Sequence, residues 1–419
     1  MSPSSTGFDA ARRDVDALAR LIAALIGSGF STGEAFVIGD RCAYGLGLND
    51  GALLDLGTAV SVQYVTDDGQ TVARTVPLDS LGAIDCQKMK ELHLLSGRVG
   101  DGSLDADGLD SGLETIAARS GPRVWTITGG MAVLAFAIAL QVGIGWIPAL
   151  VTAVVQIPVT LFGVAAGRWG IRRFFTSAAQ AVLAAGLVAL AYLVHLIHGM
   201  DAAAAVGVPW LLTIPLPVLI ALTVDLVYER PMSALARGVV VLLGGGGVAL
   251  GAAAVLTVLA SIDRPGEHVV ELPTLPLVLG LVFSMIGAVA NALGNGGSRD
   301  LLLPAAGIGL LTAGVNQSLI HLAHFPGVWA AIVASAVLGY ASTFWERRSP
   351  YPIGVLALMG ITGAIIPGLT VYEGIAKTVL GESGTEDFLM ALLTGVGIGV
   401  GVAFGFMLAT IRDRVAERI

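Results

Sequence analysis

The chain has 419 residues, 55% of them apolar and only 13% charged, with a formal net charge of −8 and a mean hydropathy of +0.82. A soluble protein usually carries about a quarter charged residues, so this composition excludes an ordinary soluble globule and a disordered chain and predicts a polytopic membrane protein. Two cysteines, Cys42 and Cys86, exclude a disulfide-stapled framework.

The charge sits at one end. Met1 to Gly121 hold 17 acidic and 9 basic residues, whereas the remainder holds 14 of each. Residues 1–121 have no apolar run long enough to span a bilayer, and Met1 to Asp14 lack a signal-peptide pattern. They are expected to form a small acidic α+β cytoplasmic domain, whose charge argues against nucleic-acid binding. Val15 to Ile26 carry apolar residues at helical spacing. Ser31-Thr32-Gly33-Glu34 has the form of a capping box opening a helix through Tyr44. Gly57 to Val65 and Thr71 to Pro77 alternate around Asp67-Asp68-Gly69 and predict a hairpin. Helices are expected over Ala83 to Ser96 and Leu109 to Arg119. No metal-ligand cluster, phosphate loop or enzyme signature is legible, so no catalytic residue, metal or cofactor is expected. A lone His93 on a helix reads as a surface residue.

Ten apolar segments follow: Val124 to Gln141, Trp146 to Gly167, Thr176 to His195, Val206 to Val227, Val239 to Ser261, Leu275 to Leu293, Leu301 to Leu322, Val328 to Phe344, Ile353 to Tyr372 and Phe388 to Ile411. At about 1.5 Å per residue each reaches across a bilayer, the eighth marginally. With the N-terminus inside, the inner segments hold 13 Lys and Arg residues, from Arg119 to Arg418, against two outside, Arg264 and Lys377. The positive-inside rule therefore predicts both termini in the cytoplasm of a cell inner (plasma) membrane.

An internal repeat is legible. Gly244 to Gly247 in the fifth span lies about 152 residues before the stripe Gly395, Gly397, Gly399 and Gly401 in the tenth. The same shift carries Ile214-Pro215 onto Ile366-Pro367 and the first span onto the sixth. Two five-helix halves, 122–262 and 263–419, are thus expected. An odd span number makes them an inverted repeat, the architecture of alternating-access transporters. Proline inside a membrane helix frees backbone groups that protein, water or cargo must satisfy.

Asp225 is the one acidic residue inside an expected span, which marks it for proton or substrate handling unless its nearness to Glu229 leaves it wet. Asn291, Asn316 and Gln317 could hydrogen-bond an amino or carboxylate group, or hold helices together. The pairs His195/His198 and His321/His324 read as interfacial rather than zinc-binding. Tyr372 closes the ninth span as a gate or an interfacial aromatic.

These residues resemble the threonine/serine exporter family along nearly the whole chain. The stretches that carry the resemblance are Leu18 to Thr32, Cys42 to Leu48, Gly100 to Ile116, Ile214 to Arg237 and Ile365 to Tyr372. It implies a soluble domain before ten spans, and secondary active, proton-coupled export of small hydroxy amino acids. The expected site lies beside the bends: Pro215, Pro217, Pro367, Gly368, Asn291, Asn316, Gln317 and Tyr372 around the cargo, Asp225 carrying the proton, and Arg237 gating or structural. Pro215-Leu216-Pro217 lacks the glycine of Pro367-Gly368, so the two bends differ. Partners are threonine or serine, protons and membrane lipid, and a homo-oligomer is compatible with the sequence. Export of a dicarboxylate such as succinate is the alternative cargo, though it lacks a counter-charge unless Arg237 reaches inward. A membrane-anchored sensor is the alternative class.

Overall fold

Helix-forming and strand-forming patterns alternate at the N-terminus and fold accordingly. The computed structural model describes residues 3–262, 276–364, 374, 377 and 383–416. Helices α1 (Pro3–Ser28) and α2 (Thr32–Gly45) precede an antiparallel sheet of β1 (Ala52–Asp55), β2 (Ala59–Val65) and β3 (Thr71–Pro77), in the order β1-β2-β3. Helices α3 (Cys86–Gly100) and α4 (Ala106–Ala118) complete this N-terminal unit. Val15, Leu18, Ile22 and Leu25 line one face of α1 and are buried with Val60, Val62 and Val72 of the sheet. The hairpin forms in the expected place. Strand β1 was not foreseen, because four residues carry too little alternation to announce an edge strand. The later helices begin at their caps: the Asp85 carboxylate accepts from the Gln87 and Lys88 amides, and Asp105 from Gly108.

The membrane part begins with α5 (Val124–Val142), α6 (Trp146–Arg168) and α7 (Arg173–Leu193). Then come α8 (Gly199–Thr213), α9 (Leu216–Val227) and α10 (Pro231–Ile262). Helices α11 (Leu277–Gly294), α12 (Arg299–His321), α13 (Gly327–Glu346), α14 (Ile353–Ala364) and α15 (Thr385–Ala416) follow. Among the described residues, eight of these are long and apolar enough to cross a membrane. Large apolar side chains such as Leu242 and Leu303 stand 74% and 80% exposed, as lipid-facing residues do and soluble surfaces avoid. The architecture is that of a polytopic helical membrane protein.

The expected fourth span is a broken one. Helices α8 and α9 meet at a 52° bend. Pro215 and Pro217 have no N–H to continue the ladder, and the Ile214 amide falls back on the Trp210 and Leu211 carbonyls. Of the expected ninth span, α14 is described; Pro367, Gly368 and Tyr372 lie outside the described residues.

Two helix contacts recur with the same chemistry. Helix α10 packs on α7, and α15 on α13. A Cβ at Gly247 would sit 2.4 Å from the Phe174 carbonyl oxygen and 3.0 Å from Ser177, and one at Gly251 2.3 Å from the Ala178 carbonyl. A Cβ at Gly401 would sit 2.6 Å from the Ile332 carbonyl and 3.0 Å from Ser335, and one at Gly405 2.2 Å from the Ala336 carbonyl. Only glycine lets the backbones approach so closely. These contacts align Gly247 with Gly401, two residues beyond the shift that relates Pro215 to Pro367 in the sequence.

Candidate functional site

Helix α9 leaves the bend at Pro215 and ends at Tyr228, where Glu229 takes a left-handed φ of 57° and turns the chain into α10. That reversal brings Arg237 of α10 back against Asp225 of α9. The Arg237 Nε donates to Asp225 Oδ2 at 2.8 Å, with both side chains at most 2% exposed. The remaining donors of Arg237 leave the membrane part: Nη2 reaches the Phe30 carbonyl at 2.7 Å and Nη1 the Leu81 carbonyl at 3.3 Å. The other oxygen of Asp225 accepts the Gly33 amide at 3.0 Å. A charge pair this deeply buried persists because hydrogen bonds satisfy its outward-facing atoms.

The N-terminal unit supplies those partners through the start of α2. The Ser31 hydroxyl accepts the Glu34 amide, and Glu34 Oε2 accepts the Ser31 amide at 3.2 Å and its hydroxyl at 2.7 Å. This capping box fixes the first turn of α2, which leaves the Gly33 amide pointing at Asp225. A Cβ at Gly33 would lie 2.6 Å from Tyr228, so the turn sits directly on the end of α9. Alongside, Thr32 donates to Ser233 at 2.8 Å, and Ser233 donates through its amide and hydroxyl to Asp55 at 3.0 and 2.7 Å. All of this attaches the unit to α9 and α10.

Attachments to the later helices are of another kind. Lys90 pairs with Asp300, which also accepts from Tyr351 at 2.9 Å. The Cys86 amide donates to the Asn295 carbonyl at 2.9 Å. His93 Nε2 lies 3.9 Å from Glu346 Oε1, and burial pushes the His93 pKa down. His93 is half-buried rather than fully exposed, and its Nδ1 is shielded without a hydrogen-bond partner.

Between the two sets of attachments lies a cavity of about 40 Å³, space for a few waters at roughly 10–15 Å³ each. Ser31, Glu34 and Met89 line it from the N-terminal unit, Pro217 and Val224 from α9, and Leu358 and Phe406 from α14 and α15. Glu34 is its one charged lining residue. Burial is the largest cause raising the Glu34 pKa, with Asp225 adding to it and the Ser31 bonds and Arg237 opposing.

The residues singled out in the sequence divide. Pro217 lines this cavity, and Pro215 caps α9 above it against Gly244. Asn291 is one layer behind, donating to the Leu358 carbonyl at 3.2 Å and accepting from Asn295 at 2.8 Å. Asn316 is buried in α12, and Gln317 lies beside Gly280. Eleven residues of α11 separate Gly280 from Asn291, about 16 Å along the helix, so Asn291 and Gln317 do not converge. Asp225 and Arg237 are together, but at the seam with the N-terminal unit rather than at the bend. Ser31, Gly33, Glu34 and Ser233 escaped notice as site residues. The capping box was the one signal, and it announces a helix start without saying what the helix start touches.

A family model described as "Putative threonine/serine exporter" matches residues 16–259. The "Probable threonine/serine exporter" of Mycobacterium tuberculosis (strain ATCC 25618 / H37Rv) is 26% identical over 430 residues, covering 98% of this chain and 79% of that protein. The "Threonine/serine exporter" of Corynebacterium glutamicum is 25% identical over 301 residues, covering 68% of this chain and 58% of that protein. No solved structure matches the chain.

Proposed function

The chain belongs to the threonine/serine exporter family, and on that premise we propose that it carries threonine and serine out of the cytoplasm by alternating access, in exchange for protons. The observation that carries this reading is the family match together with relatives named for that cargo. Two structural features support the mechanism. The broken pair α8 and α9 provides the kind of interrupted helix that transporters use at a binding site. The recurring glycine contacts of α10 on α7 and α15 on α13 support two halves of like construction, 122–262 and 263–419, related by inversion. The N-terminal unit, residues 1–121, and both termini are on the cytoplasmic side of the inner membrane in this reading.

Cargo would sit beside Pro215 and Pro217; Pro367, Gly368 and Tyr372, which the sequence leads one to expect around it, lie outside the described residues. Asn291 serves helix packing around it, since its amide and carbonyl are engaged, while Asn316 and Gln317 stay assigned to the cargo. We assign Asp225 to the junction with Arg237 rather than to a free proton carrier, because its two oxygens are committed to Arg237 and Gly33. Arg237 is similarly committed, which weakens the dicarboxylate alternative.

The test is efflux from preloaded vesicles offered labelled threonine, serine and succinate in parallel, with and without a protonophore. Protonophore-sensitive release of threonine or serine is expected. Release of succinate alone would replace the cargo, and release insensitive to the protonophore would remove the proton exchange.

A further inference from the structure

Resting on the export reading, we propose that cargo enters from the cytoplasm along the seam between the N-terminal unit and the second membrane half, with Glu34 receiving its ammonium group. The N-terminal unit holds on to both halves at one end of the bundle. If the halves rock, that bridge must yield on one side. On the first half the attachments are buried and directional: Arg237 to Phe30 and Leu81, Gly33 to Asp225, and Ser233 to Thr32 and Asp55. Parting them would leave polar groups shaped for partners they no longer have. On the second half the polar attachments are partly exposed ion pairs, which water replaces more readily, beside apolar packing in a core shared with Tyr351, Val355 and Phe406. The Lys90 and Asp300 side chains are 17% and 45% exposed, and those of His93 and Glu346 28% and 25%. Among the described residues, the Cys86 amide adds the one backbone bond there.

The cavity lies on the same side. Its walls are the N-terminal unit and α9 on one side, and α14 and α15 on the other. Opening this seam therefore enlarges a space that already reaches Pro217 at the bend. The path it creates is apolar apart from Ser31 and Glu34. Ser31 engages Glu34 Oε2, and both carboxylate oxygens lie at the wall beside Gly354. A carboxylate so placed attracts the ammonium of an amino acid and repels a dicarboxylate. The N-terminal unit thereby becomes one lip of the entrance, moving with α9 and α10.

The experiment uses the full-length protein in vesicles. Cysteine pairs are introduced across the seam, Lys90→Cys with Asp300→Cys, and on the closed side, Thr58→Cys with Met232→Cys, near the Gly57–Met232 contact. Each pair is bridged by a bis-maleimide with a reducible spacer. The bridge across the seam is expected to lower threonine efflux at least tenfold, reversibly on reduction, and the other to leave it within twofold. Efflux unaffected by the seam bridge, or stopped equally by both, overturns the proposal. If the unbridged protein moves no threonine, the export reading fails, and the seam is judged without cargo by spin-label distances at the same positions. Two distances at 90/300 and one at 58/232 support it; a single distance at each overturns it. Glu34→Gln should raise the threonine KM with turnover retained, and an unchanged KM removes Glu34 from the path.

Discussion

Replacing Arg237 strands the Asp225 carboxylate in a buried seam and leaves the Phe30 and Leu81 carbonyls without a donor. Removing one member of such a pair typically costs about 3–5 kcal/mol, whereas replacing both by apolar residues costs less. Arg237→Ala should therefore lower the thermal midpoint of the detergent-purified protein far more than Asp225→Leu combined with Arg237→Leu. Equal losses would mean that the pair is not the unit of stability. Glu34 makes a pH-dependent contribution of opposite character. Its pKa is raised above the ordinary 4.5, chiefly by burial, with Asp225 adding to the effect and Arg237 opposing it. Tyr228 and Glu346 complete the groups that face it. A carboxyl whose pKa is raised by folding stabilises the fold in its protonated form. That contribution is present below the unfolded value and is lost as pH rises through the folded one. Glutamine keeps the capping acceptor without the charge. The advantage of Glu34→Gln over the parent in thermal midpoint should therefore grow as pH rises above the ordinary value of 4.5, and a constant difference would contradict the assignment.

Glycine positions decide how the long helices meet. An added methyl at Gly247 or Gly401 runs into the Phe174 or Ile332 carbonyl, whereas at Gly245 it meets nothing within 4 Å. Overpacking of this kind costs about 1–3 kcal/mol. Gly247→Ala and Gly401→Ala should each lower the thermal midpoint, and Gly245→Ala should leave it in place; matched behaviour of all three would show that the stripes are not packing surfaces. The sequence announced these stripes, because a run of glycines in an apolar helix has few other uses. It did not announce their partners on α7 and α13, which are set by tertiary packing. It placed the bend at Pro215 correctly, since a missing N–H is a local fact. It marked Asp225 but not its partner Gly33, since a span read in one dimension cannot show that the N-terminal unit folds back onto the end of α9. The approach of His93 to Glu346 was illegible for the same reason: it depends on a neighbour remote in the chain.

At the scale of the whole molecule, sidedness decides whether the N-terminal unit guards an entrance or an exit. The inner segments were assigned from their arginines, and the unit that docks on the ends of α9 and α10 is on that same side. Thiol labelling tests the arrangement directly because the native cysteines give little background. Burial pushes the Cys42 thiol up to about 12 and the Cys86 thiol higher still, so neither supplies much thiolate near neutral pH. Ser103→Cys places a reactive thiol on an exposed turn of the N-terminal unit, and Ala323→Cys places one on the exposed connection between α12 and α13. On intact cells an impermeant maleimide should label Ala323→Cys at once and Ser103→Cys only after the membrane is opened. The reverse pattern would put the unit outside. The seam beneath it would then face away from cytoplasmic amino acids, and neither the entrance proposed for it nor the orientation read from the arginines would stand.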